Sequence, residues 1–225
     1  MNELNKKAVG GLIFFHAAMG LFLFAPAGTL HYWQAWVYLG VSLVCTGSIT
    51  LYLMQNDEAL LERRMHAGSS AEKEKKQKLI QFISQFAFVA MFVVPALDHR
   101  YAWSSLPLYI SIGADIFCAL GLFIVFLVFK ENTYTSAIIE LADDQHVVST
   151  GPYRFVRHPM YSGTLLMLLA TPIALGSWWG LLAFIPMLLV IVWRLFEEER
   201  FLSTALQGYT EYQAKVPWRL LPFVF

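Results

Sequence analysis

The sequence has 225 residues, of which 57% are hydrophobic and 14% charged, with a mean hydropathy of +0.53. Soluble domains carry nearer a quarter charged residues, so this composition excludes an ordinary soluble domain and points to a membrane protein. The formal net charge is zero, which argues against a nucleic-acid partner; charge is segregated along the chain, not absent from it.

Six apolar segments are predicted as helices, at about 8–25, 35–54, 79–97, 106–129, 160–176 and 179–199. A span needs about 20 residues. The second, fourth and sixth segments meet that comfortably. The fifth is short and contains Pro172, so the last two are either full spans or a helical hairpin that dips incompletely. The fold class expected is all-α, a polytopic integral membrane helical bundle of five to six transmembrane segments. At the N-terminus, Lys6-Lys7, an apolar run and Ala25-Pro26-Ala27 imitate a secretory leader. The run is long for one and further spans follow, so it is read as the first span.

Between the second and third segments, residues 56–78 are charged and partly helical. Leu60, Leu61 and Arg64 are expected along the interface, and Glu72 to Lys78 in solvent; the loop reads as a positive-inside anchor. Between the fourth and fifth, 130–159 is the longest polar connection. It begins Glu131-Asn132-Thr133, turns at Asp143-Asp144-Gln145 and leads through an extended Val147-Val148 into Gly151. Loops of this length are usually functional or disordered, and this one holds too many apolar residues for disorder.

Orientation follows from Lys and Arg. With six crossings and both termini in the cytoplasm, every one of the 16 except Arg100 falls on the cytoplasmic side. Trp33, Trp36, Trp103, Trp178 and Trp179 then mark the outer interface, and Trp193 and Trp218 the inner one.

Isolated polar residues carry weaker signals. Cys45 and Cys118 fall in apolar runs, with no disulfide or zinc pattern. His31, His66, His99 and His146 have no ligand spacing, so no metal is expected. His16 and Gln85 suit interhelical hydrogen bonds. Asp115, near the middle of the fourth segment, costs about 2.5–3.5 kcal/mol on insertion scales; it reads either as functional or as a protonated side chain bonded to a neighbouring helix. Gly10-Gly11 reads as a helix-packing pair, not a nucleotide fingerprint.

The most constrained stretch is GPYRFVRHPMYSG, residues 151–163. Gly151-Pro152 breaks any preceding element. Pro159 suits a first helical turn and holds His158 extended. The helix that follows turns its N-terminus, an anion-binding end, towards Arg157, His158 and Tyr161. An ordinary basic cytoplasmic loop is the plain alternative. The second element is Glu197-Glu198-Glu199, three carboxylates at the unfavourable end of an apolar helix. Arg194 shares a face with Glu197 and Glu198, and Glu199 lies about 100° round. Either the group is a solvated helix end paired to Arg194 and Arg200, or Glu198 and Glu199 face a cationic ligand.

GPYRFVRHPMYSG, followed by RLFEEERFL at 194–202 and Tyr209-Thr210-Glu211-Tyr212, resembles the isoprenylcysteine carboxyl methyltransferase family and the related phospholipid methyltransferases. The resemblance covers about residues 130–225; Asp57 to Arg64 resembles a loop of bacterial members more weakly. It implies an integral membrane enzyme using S-adenosylmethionine, with the Glu pair and following Leu matching Glu198, Glu199 and Leu202 in cofactor binding. The cofactor's sulfonium, ammonium and carboxylate complement a Glu pair opposite an Arg/His cluster. Expected cofactor-binding residues are Gly151, Pro152, Tyr153, Arg157, His158, Tyr161, Glu198 and Glu199. Expected catalytic residues are Arg157, His158, Arg194 and Asn132: an Arg to hold a carboxylate acceptor, Asn132 to add a hydrogen bond, and His158 as base for an amine or thiol. The chain divides into four membrane helices (1–129) and a cofactor-binding portion (130–225) within one membrane domain, its site facing the cytoplasm.

The expected acceptor is lipophilic, a prenylated cysteine carboxylate on the resemblance, with a lipid amine or small thiol open. Membrane lipid is the surrounding partner. The RHPxYxG element is shared with membrane sterol reductases, so an NADPH-dependent reductase is the alternative enzyme, and a noncatalytic membrane protein the third reading.

Overall fold

The computed structural model describes residues 2–65, 75–135 and 145–225. His66, the solvated stretch at 72–74 and the Asp143-Asp144 turn lie outside the described residues. The described residues form helices and turns, with no strand among them. The helices are α1 (Glu3–Ala27), α2 (Trp33–Asn56), α3 (Glu58–Met65), α4 (Lys75–Tyr101), α5 (Leu108–Glu131), α6 (Pro159–Ala174), α7 (Leu181–Ala205) and α8 (Tyr209–Lys215). A single 3-10 turn, Gly151–Arg154, precedes α6.

Local chemistry sets the helix ends. The Asn2 side chain accepts from the Asn5 N–H at the start of α1. Gly28, at φ 67°, closes the same helix, its N–H donating to the Phe24 and Ala25 carbonyls. Pro159 opens α6, where its missing N–H costs nothing. Four helices are long and apolar enough to cross a membrane: α1, α2, α4 from Lys78 onward, and α5. α6 has 16 residues, about 24 Å of rise, and α7 stays apolar only as far as Phe196, apart from Arg194.

The loops gather at two ends. At one, Asp98 accepts from the Ser104 N–H at 2.7 Å and hydroxyl at 2.6 Å and from the Ser177 hydroxyl. The Tyr32 hydroxyl donates to the Leu175 carbonyl at 2.6 Å. Trp33, Trp36, Trp103, Trp178 and Trp179 are exposed around this end. At the other end the Asn2 amide donates to Glu58 at 2.8 Å, and Arg63 to the Thr133 carbonyl at 3.1 Å. The start of α1, α3, the end of α5, the start of α6 and the end of α7 meet there.

α6 packs most extensively against α5, and the crossing depends on two glycines. A Cβ on Gly121 would stand 2.5 Å from the Gly163 carbonyl oxygen, and one on Gly163 2.6 Å from that of Gly121. Small residues let helix backbones approach this closely in a membrane. Gly10 and Gly11, expected to serve that purpose, have open space where a Cβ would stand, because that face of α1 meets no other helix. His16 makes its interhelical contact, with Ser42 at 3.3 Å, whereas Gln85 is exposed. Asp115 is buried and neither of its carboxyl oxygens has a hydrogen-bond partner.

Candidate active site

A cavity of about 390 Å³ opens at the end of the bundle that holds the start of α1. Its wall brings together Asn132 at the end of α5, Tyr153 of the 3-10 turn, and Arg157 and His158 leading into α6. Tyr161 in the first turn of α6, and Arg194 and Glu198 on α7, complete this side. α6 starts at the cavity, so the positive end of its macrodipole is turned that way.

Beneath the cavity lies an ion cluster centred on Glu199, which is 6% exposed. Its Oε1 accepts from Arg157 Nε at 2.6 Å and contacts His158 Nε2 at 3.2 Å. Its Oε2 accepts from Arg219 Nε at 2.9 Å. Burial alone would raise the Glu199 carboxyl, but the hydrogen bonds from His158, Arg157 and Arg219 outweigh it and hold the group at about 2. Glu199 lies beyond the apolar part of α7, so this setting belongs to the end of the bundle and not to the membrane interior.

The same cluster fastens the C-terminal segment. Arg157 Nη1 donates to the Val216 and Pro217 carbonyls, each at 2.8 Å. The Arg157 and His158 N–H groups donate to the Trp218 and Arg219 carbonyls, each at 2.9 Å. The Ser162 hydroxyl donates to the Leu220 carbonyl at 2.6 Å. Buried ionic groups need every partner in place to be tolerated, and here two arginines, an imidazole and backbone carbonyls supply them.

Glu198 is placed differently. One turn away from the cluster, its side chain is 27% exposed and lines the cavity. The Tyr161 hydroxyl donates to Glu198 Oε2, and Arg194 Nε donates to the same hydroxyl at 3.2 Å. Tyr161 also stacks on His158, with ring centroids 5.6 Å apart. The wall below is aromatic and aliphatic. Tyr209, Tyr212 and Val216 pack with Val147, Tyr153, Leu202 and Leu206.

The expected residues therefore fall into three groups. Asn132, Tyr153, Arg157, His158, Tyr161, Arg194 and Glu198 line the cavity. Gly151 and Pro152 shape the turn that feeds it: Gly151 sits at φ 55°, and a Cβ there would stand 2.7 Å from the Glu131 carboxyl. Glu199 lies behind the wall, tied to Arg157 and Arg219 and not to Arg200. Asn132 donates to the Tyr153 hydroxyl at 2.9 Å, and the Tyr212 hydroxyl to the Tyr153 carbonyl at 2.7 Å, so both hold the Tyr153 turn.

Several cavity residues gave no sign in the sequence. Arg64 and Gln81 line it from α3 and α4, although the loop at 56–78 reads as a charge anchor. Arg219 reads as one more cytoplasmic cation, yet it is the third partner of Glu199. Its guanidinium lies over Phe196 and Phe225, 5.3 and 5.2 Å from their ring centroids. Tyr209 was expected only to pack, and its buried hydroxyl has no hydrogen-bond partner. Among the described residues no group of His, Cys, Asp and Glu is arranged to hold a metal.

The segment from α5 to just past α7, which supplies most of this wall, matches a known family. Residues 109–207 are of the phospholipid methyltransferase family. The chain is also 26% identical over 189 residues to protein-S-isoprenylcysteine O-methyltransferase B of Arabidopsis thaliana, covering 78% of this chain and 91% of that one. The resemblance carried by GPYRFVRHPMYSG and RLFEEERFL thus holds, and with the four long apolar helices it supports an integral membrane methyltransferase. Neither comparison favours a reductase.

Proposed function

We propose that the protein is an S-adenosylmethionine-dependent methyltransferase acting on a lipophilic acceptor, with carboxyl methylation of a prenylated cysteine as the foremost reading. The observation that carries it is the cavity wall on which Tyr161 links the Glu198 carboxylate to the Arg194 guanidinium. That wall suits a ligand bearing both cations and a carboxylate. The aromatic and aliphatic face formed by Tyr153, Tyr209, Tyr212, Leu202 and Leu206 suits its nucleoside. The cavity is of a size usual for small-molecule sites.

When bound, S-adenosylmethionine supplies an electrophilic methyl group on a sulfonium. The residues supply position and electrostatics. Glu198 balances positive charge, and Arg194 holds a carboxylate. Tyr161 fixes the two relative to each other. His158 is held by Glu199 on one side and Tyr161 on the other; its Nδ1 lies 4.0 Å from Glu198 Oε1. A carboxylate acceptor is ionised at neutral pH and needs no base. An amine or thiol acceptor needs one, and His158 is the group placed to serve. Gln81, Val125 and Ile191 line the cavity from α4, α5 and α7, which supports entry of the acceptor from the bilayer.

Calorimetry on detergent-purified protein tests this reading. Wild type is expected to bind S-adenosylmethionine at micromolar concentration and not NADPH, and Glu198→Gln to lose that binding. Binding of NADPH with none of S-adenosylmethionine would replace the methyltransferase with the reductase.

A further inference from the structure

The family match covers residues 109–207, yet the cavity is completed from outside it. Arg64, near the end of α3, lines the same cavity as Arg194. Leu60 and Leu61, 0% and 5% exposed, pack with Ala8, Leu53 and Phe129 and hold α3 against the bundle. The Arg64 guanidinium is consequently set over the Phe129 ring, 5.1 Å from its centroid, with Nη1 4.0 Å from the Met160 sulfur. Among the described cavity-lining residues there are three arginines and one carboxylate, Glu198. Arg157 turns its guanidinium to Glu199 and to two carbonyls. Arg64 and Arg194 remain as the guanidiniums set in the cavity wall.

We propose that Arg64 and Arg194 together bind a carboxylate inside the cavity, which makes Arg64 a ligand-contacting residue contributed by the N-terminal half of the chain. A planar guanidinium backed by an aromatic ring is a suitable receptor for a carboxylate. Burial, with the Arg194 charge acting in the same sense, lowers the Arg64 pKa; an anion between the two arginines would relieve that cost. This deepens the methyltransferase reading and rests on it for the choice of ligand. Two carboxylates are available in that chemistry, one on the methyl donor and one on the acceptor.

Calorimetry with the full chain in detergent separates them. The variants are Arg64→Gln and Arg64→Lys. The probes form two pairs: S-adenosylmethionine with its decarboxylated analogue, and N-acetyl-S-farnesylcysteine with its primary amide. In Arg64→Gln one of the two acids is expected to lose about 10–100-fold in affinity, the scale of a hydrogen bond to a charged group, while its uncharged counterpart is unchanged. Lys restores part of the loss. Loss confined to the first pair places the donor carboxylate at Arg64; loss confined to the second places the acceptor's. Equal loss for acid and uncharged probe would mean a packing role and overturn the inference. So would wild-type binding of all four probes by Arg64→Gln, with the methyltransferase reading left standing. A wild-type protein that binds none of the four overturns both.

Discussion

Glu198 and Glu199 are neighbours in sequence with the same side chain, yet the helical turn of about 100° between them gives them different surroundings. Glu198 reaches the cavity. Glu199 is enclosed by Arg157, His158 and Arg219. Glu199→Gln is expected to destabilise the protein by about 3–5 kcal/mol, because it leaves buried cations without their counter-ion. The sign of the pH dependence follows from the depressed carboxyl. Its folded value of about 2 lies below the ordinary 4.5, so its stabilising contribution is complete above the unfolded value and is lost as pH falls towards 2. Thermal unfolding in detergent between pH 5 and 2 should show a steep loss of stability in wild type and a shallower one in Glu199→Gln. Parallel curves would mean that Glu199 is not the titrating group. The sequence showed that this triplet needed cationic partners; it pointed to Arg194 and Arg200 because they are close in the chain. Arg157 and Arg219 lie 42 and 20 residues away, and only folding brings them in.

At the scale of elements, the α5–α6 crossing sets where the site stands. α6 carries Tyr161 two residues before Gly163, so the close backbone contact and the cavity wall share one helical turn. Gly163→Ala places a Cβ 2.6 Å from the Gly121 carbonyl oxygen and 3.0 Å from Ile124, and the helices must separate. A stability loss of about 1–3 kcal/mol is expected for such overpacking, with weaker binding of S-adenosylmethionine because Tyr161 moves with the helix. A Gly163→Ala protein with the melting temperature and affinity of wild type would show that the crossing tolerates the extra carbon. Helix positions were legible in the sequence to within a few residues, because apolar runs and breakers such as Gly28 and Pro159 act locally. The wrong glycine pair was legible too: Gly10-Gly11 has the right composition, but no helix faces it. Gly121 and Gly163 lie in different helices, and nothing local joins them.

For the whole molecule, the two ends of the bundle differ in chemistry. One is ringed by exposed tryptophans around the Asp98–Ser104–Ser177 network. The other holds the cavity, the Glu199 cluster and the C-terminal segment. We expect the cavity end to face the cytoplasm, since the Lys and Arg residues concentrate there and Arg100 lies at the opposite end. Single cysteines introduced as Thr210→Cys and Tyr109→Cys, with Cys45 and Cys118 replaced by alanine, test this. In intact cells an impermeant maleimide should label position 109 and not position 210. The reverse pattern would invert the orientation.

Composition, the order of the apolar segments and the two motifs were determined by the sequence itself, since hydropathy and turn chemistry act over a few neighbouring residues. The pairing of the motifs with the phospholipid methyltransferase family was equally accessible. Only the tertiary structure decided which glutamate lines the cavity, which arginines neutralise the other, and that α3 brings Arg64 to the wall. These depend on helix rotation and on contacts between residues far apart in the chain, and neither the identity nor the spacing of the residues fixes them.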